Sequence, residues 1–170
     1  MGKSNKQSNK KNPLITLGLI GGGIVLVFGL LIGLQNYQHA QALKGYNPYG
    51  SKTLNAPTKD LLTDKNYQNI ILPEDLKERI DSGEPTTVYF FSPTCAYCKQ
   101  TTPIVAPLAK DLGIDLVQYN ILEFEEGWSD YKIEATPTII HFDKGEEVTR
   151  VVGTQTKEYF EKLFKSIKAQ

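Results

Sequence analysis

Apolar positions fall into two regimes along this chain. Leu14–Leu34 is an unbroken uncharged run, whereas from about Leu61 onward short apolar runs alternate with amphipathic stretches. In the second regime Val88-Tyr89-Phe90-Phe91 is rich in β-branched and aromatic residues and reads as a buried central strand starting at Thr86 or Thr87. Ahead of it, Leu61 and Leu62 begin a short helix and Tyr67–Leu72 a first strand. Pro73 then opens a helix through about Ser82, with Leu76 and Ile80 on one face and Gly83 as its stop. After Ser92-Pro93-Thr94 breaks the central strand, a helical pattern runs from Cys95 to about Leu112, ended by Gly113. Its apolar stripe is Ile104, Val105, Leu108 and Leu112, and Pro103 is expected to kink it. Ile114–Ile121 reads as a strand, and Glu123–Lys132 as an acidic connector with a short helix. Trp128 and Tyr131 are available there to pack, and Glu123, Glu125 and Glu126 are expected to be solvated. Strands at Thr138–Phe142 and Glu147–Val152 pair across Asp143-Lys144-Gly145. Thr154 or Thr156 caps a last helix whose Tyr159, Phe160, Leu163, Phe164 and Ile167 follow helical spacing.

The first regime has a different meaning. A helix over residues 14–34 spans about 31 Å, close to the hydrocarbon thickness of a bilayer of about 30 Å. Lys3, Lys6, Lys10 and Lys11 precede the run with no acid among them, and no lysine follows it immediately. The positive-inside rule then places residues 1–13 in the cytoplasm and the rest outside, as a single-pass protein of the cell membrane. Ala40-Gln41-Ala42 offers the A-x-A pattern of a cleaved signal peptide, but the run exceeds the usual h-region of about 7–15 residues, which favours an uncleaved anchor. Residues 35–59, with Gly45, Pro48, Gly50, Ser51 and Pro57, read as an extracytoplasmic linker, and 60–170 as one domain large enough to bury a core. The chain is neutral overall, with 19 basic and 19 acidic residues. Since four lysines precede the anchor, the remainder carries an excess of four acids. No basic stripe interleaves with aromatics, so nucleic acid is not an expected partner.

The only two cysteines form Cys95-Ala96-Tyr97-Cys98 at the handover from strand to helix. A helix N-terminus favours negative charge, hence a thiolate at Cys95, and a two-residue spacer lets Cys98 close a reversible disulfide onto it. That pattern points to thiol–disulfide exchange. Zinc uses the same spacing but needs four ligands; there is no third cysteine, and His39 and His141 form no H-x₃₋₅-H pair. No metal and no cofactor are expected. An inert structural disulfide over so short a loop gains little chain entropy. Cys95 is the candidate nucleophile and Cys98 the candidate resolving thiol. Because disulfides persist outside the cytoplasm, the expected partners are thiols or disulfides of exported proteins, together with a membrane or extracytoplasmic redox partner.

Lys99 and Pro103 after the second cysteine, Thr136-Pro137-Thr138 about forty residues on, the run Thr138–Phe142, the Asp143-Lys144-Gly145 turn and Gly153 occur in the order found in thioredoxin-like proteins. Over about Tyr67–Lys168 the chain resembles the thioredoxin-like thiol–disulfide oxidoreductase family, in a membrane-anchored, extracytoplasmic bacterial form. The resemblance implies an α/β thioredoxin fold, a central mixed sheet flanked by helices, here preceded by a transmembrane helix. It further implies a cis peptide at Pro137 that frees the Thr136 backbone to pair with substrate. The chain departs from thioredoxins at Thr94, where they usually carry tryptophan, at Ala96-Tyr97, where they carry Gly-Pro, and at Tyr89, where they bury an aspartate that helps proton transfer. Two other readings are a peptide-holding or assembly module on the same fold, and a dedicated reductase in cytochrome maturation. Members of the latter class usually insert a helix and a strand after the active-site helix, and this chain is too compact there.

Overall fold

The computed structural model describes residues 26–33, 47–50 and 53–169. The chain divides into two units, Met1–Lys44 and Gly45–Gln170. In the first, residues 26–33 are helical (α1), and Leu26, Val27, Phe28, Leu30, Leu31 and Ile32 are exposed. Among the described residues no helix is long and apolar enough to cross a membrane. Most of the segment expected to do so, residues 14–25 and 34, lies outside them, as do residues 1–13 and Ala40-Gln41-Ala42.

The second unit runs α2 (Ala56–Leu61), α3 (Pro73–Asp81), β1 (Thr86–Phe91), α4 (Ala96–Leu112), β2 (Leu116–Asn120), α5 (Gly127–Asp130), β3 (Thr138–Asp143), β4 (Glu146–Val152) and α6 (Lys157–Lys168). The strands form one mixed sheet in the order β2–β1–β3–β4. β1 is parallel to β2, with Val88 opposite Val117, and antiparallel to β3, with Tyr89 opposite Ile139. β3 turns back into β4 through Lys144 and Gly145, both at positive φ (52° and 83°), the conformation of a two-residue hairpin loop. All six residues of β1 are buried, because both faces of the sheet are covered. Tyr89 and Phe91 face a cluster with Val105 and Leu108 of α4 and Phe160, Leu163 and Phe164 of α6. Val88 and Phe90 face a second cluster with Leu76 of α3, Tyr119, Phe124, Tyr49 and Leu54.

Helix ends follow local chemistry. α3 starts on Pro73 and stops before Gly83, whose φ of 78° suits glycine. α4 ends on Gly113 in the left-handed region (φ 71°), and α6 is capped by Thr156, whose hydroxyl accepts from Tyr159 N–H, rather than by Thr154. α4 continues as one helix through Pro103 and Pro107, and its buried face is Cys98, Thr101, Thr102, Val105, Leu108 and Ala109. Ile104 and Leu112 of the expected stripe are only partly buried.

Three expectations are corrected. The strand expected over Tyr67–Leu72 is reduced to a single parallel bridge, Ile70 to Gln118. Its backbone meets β2 at Gln118 alone, through Asn69 O and Ile71 N–H, while Tyr67 N–H closes a turn onto Asp64 O. The helix expected to begin at Leu61 instead ends there, starting at Ala56 with Pro57 in its first turn. Part of the expected linker is therefore folded onto the domain: Tyr49, Leu54 and Thr58 are buried, and Asn120 Nδ2 donates to Tyr49 Oη and Thr58 Oγ1 at 3.1 and 3.2 Å. Burial pushes the Tyr49 phenol up to about 12. Last, Glu123 is 3% exposed rather than solvated, because its carboxylate accepts from the Asn55 backbone N–H at 2.9 Å and from Asn55 Nδ2 at 3.3 Å.

Candidate active site

The end of β1 delivers the chain to the site through a short polar turn. Ser92 O accepts from Cys95 N–H at 3.1 Å, and Ser92 and Thr94 hydroxyls bond each other at 2.9 Å. This turn places Cys95 at the N-cap of α4 (φ −77°, ψ 118°), where its sulfur accepts from Cys98 N–H at 3.0 Å. A sulfur occupying the position of a capping oxygen meets one of the orphan donors of the helix. Both cysteines are free; Cys95 is partly exposed and Cys98 fully buried. Ala96 and Tyr97 between them face solvent, Tyr97 with 64% of its surface exposed.

Thr136 and Pro137 reach the cysteines from across the sheet. The Thr136–Pro137 peptide is cis, as the resemblance implied. The Cys95 thiol donates to Thr136 O at 3.2 Å, and Gly153 N–H donates to Pro137 O at 2.8 Å, tying this loop to the end of β4. Thus the four expected residues Cys95, Cys98, Thr136 and Pro137 converge, although 41 residues separate Cys95 from Thr136.

Electrostatically the two sulfurs are unequal. Burial, foremost, and a hydrogen bond to the Cys95 sulfur push the Cys98 thiol up to about 12; the Ser92 backbone and the Thr136 side chain pull weakly the other way. Behind Cys98 lies a polar group that spacing did not single out. Tyr89, fully buried, bonds Thr102 Oγ1 at 2.9 Å, and Thr102 Oγ1 donates to Cys98 O at 2.8 Å. Thr102 stands four residues after Cys98, so the helical period was the available signal. Tyr67 also packs here, its ring 5.0 Å from that of Phe91, and burial raises its phenol. Among the described residues no group of three or more His, Cys, Asp or Glu is placed to hold a metal ion. The arrangement can attack a disulfide with an accessible sulfur and follow with a shielded one.

Known proteins agree with this geometry. The family model for thioredoxin matches residues 61–167. The thioredoxin of Chlamydia pneumoniae is 37% identical over 95 residues, which are 55% of this chain and 92% of that protein. That of Rickettsia bellii is 33% identical over 98 residues, 56% of this chain and 86% of the other. Among solved structures, oxidised mitochondrial thioredoxin 3 from Saccharomyces cerevisiae aligns with a TM-score of 0.52 at 17% identity, covering 62% of this chain and all of that one. At that identity the likeness speaks for the fold alone. Fold, family match and relatives converge: the chain belongs to the thioredoxin family and is a thiol–disulfide oxidoreductase.

Proposed function

We propose that this oxidoreductase exchanges thiols and disulfides with exported proteins from the outer side of a membrane, with Cys95 attacking and Cys98 resolving. The observation that carries the reading is the contrast between the sulfurs: Cys95 is partly exposed at a helix N-cap, while Cys98 is fully buried one turn further in. Cys95 would attack a substrate disulfide to give a mixed disulfide, and Cys98 would displace the substrate sulfur; the net direction is set by the reduction potentials. Thr136 offers its backbone beside the sulfurs to an extended substrate segment, and Ala96 and Tyr97 form the exposed rim. Placement outside the membrane rests on the uncharged run 14–34 behind four lysines, and on the absence of any cysteine other than the pair.

The test is trapping. Cys98→Ala is expected to accumulate mixed disulfides with exported cysteine-containing proteins, visible on non-reducing gels and lost on adding reductant or in Cys95→Ala. Only monomer in Cys98→Ala would favour the peptide-holding reading instead.

A further inference from the structure

The buried hydroxyls behind Cys98 have a defined direction. Thr102 Oγ1 has one hydrogen and gives it to Cys98 O at 2.8 Å, so at the 2.9 Å contact the Tyr89 phenol is the donor. The relay runs Tyr89 O–H to Thr102 O–H to Cys98 C=O, and it ends on the backbone of the second cysteine rather than on a sulfur. This turn of helix has reason to need it. Pro103 supplies no N–H to the carbonyl of Lys99, so the rung beside Cys98 is missing from the α4 ladder. Tyr89 itself is held by the sheet on both sides, opposite Gln118 in β2 and Ile139 in β3, and it stacks on Phe91 at 6.0 Å. A rigid strand thereby grips the one helical turn that carries the buried thiol.

We propose that Tyr89 and Thr102 are positioning residues for the resolving step, holding the Cys98 turn so that its sulfur faces the Cys95 sulfur. The inference rests on the roles proposed for the two cysteines. In that step the Cys98 sulfur bonds to the Cys95 sulfur and the bond between Cys95 and the substrate sulfur breaks. The substrate sulfur leaves with the bonding pair and takes up the proton released by Cys98. The two cysteines are oxidised by two electrons and the substrate disulfide is reduced. Within the apolar cluster around Cys98 the titratable groups are Cys95, Tyr67 and Tyr89. His141 lies at the next pair along the same face and is engaged with Thr87. The relay therefore acts by geometry.

The test separates the two steps. The reduced full-length chain in mild detergent is mixed with stoichiometric dithiobis-nitrobenzoate, which releases one coloured thiolate on attack and a second on resolution. Thr102→Val, and the double variant Tyr89→Phe with Thr102→Val, are expected to leave the first release unchanged and slow the second about tenfold, the rate equivalent of one hydrogen bond. Thr102→Ser, which keeps the hydroxyl, is expected to restore it. Removing both hydroxyls together leaves neither of these two unpaired and costs only the bond of the Tyr67 phenol to Thr102, so the double variant should fold even if a single variant does not. An unchanged second release in the double variant, or an equal slowing of both releases, would overturn the proposal. Cys98→Ala must stop after the first release; if it gives both, the assignment of roles fails and not the relay.

Discussion

At Cys98 burial opposes ionisation, while the Cys95 sulfur is partly exposed at the N-cap of α4. Alkylation of the reduced protein at mildly acidic pH is therefore expected to mark Cys95 well before Cys98, as read by mass mapping of the peptide that carries both. Cys98 labelled first would reverse the assignment of attacking and resolving sulfur. A second residue with a pH signature is His141, buried in β3 with its Nδ1 3.0 Å from Thr87 Oγ1. Burial lowers its pKa, and the Asp143 carboxylate offsets this in part. The unfolded chain then binds the proton more readily than the folded one. Stability is full above the ordinary histidine pKa of about 6.5 and falls as pH drops through it. His141→Gln is expected to flatten the dependence of Tm on pH between about 5 and 7.

Elements were legible in the sequence where their determinants are local. Pro73, Gly83, Gly113 and Thr156 mark helix ends through groups within a turn of themselves, and the Asp143-Lys144-Gly145 turn needs only its own backbone. The same turn yields a prediction. Lys144 holds a φ of 52°, a region that asparagine tolerates better, so Lys144→Asn should raise stability by about 0.5 kcal/mol in denaturant titration. In α5 the constraint is packing. A Cβ on Gly127 would meet Tyr119 Cε1 at 2.5 Å, and Gly127→Ala should cost about 1–3 kcal/mol by the same measurement. Elements decided by distant partners were not legible. Glu123 is buried by Asn55, 68 residues away, and nothing in an acidic connector announces that contact. Tyr67–Leu72 has strand-like composition, yet Tyr67 N–H closes a turn onto Asp64 O and the pairing with β2 stops at Gln118. At the site the pattern was reversed: Cys95, Cys98 and Pro137 were legible because the motif and its spacing carry them, whereas Thr102 was missed because its contacts lie buried behind the motif.

For the whole molecule, the proposed topology makes a direct prediction. Protease added to intact cells lacking a wall is expected to remove the redox domain and leave a short anchored fragment. A mature N-terminus at Leu43 would show cleavage after Ala40-Gln41-Ala42 and would refute the anchor.

The contacts of Tyr49 and Asn55 also decide how the domain bears a load. The family match begins at residue 61, yet the chain already grips the sheet at Tyr49 through Asn120 and at Asn55 through Glu123. A pull applied upstream thus enters the fold at the end of β2, through a clasp of hydrogen bonds and the packing of Tyr49 and Leu54, whereas the cysteines belong to the cluster on the other face of the sheet. Stretched from its N-terminal side, the protein should yield first by a small extension, roughly 40 Å for about a dozen residues at about 3.5 Å each, before the domain unravels. Glu123→Ala should let that first extension occur at lower force, giving the molecule a short mechanical slack ahead of its redox centre.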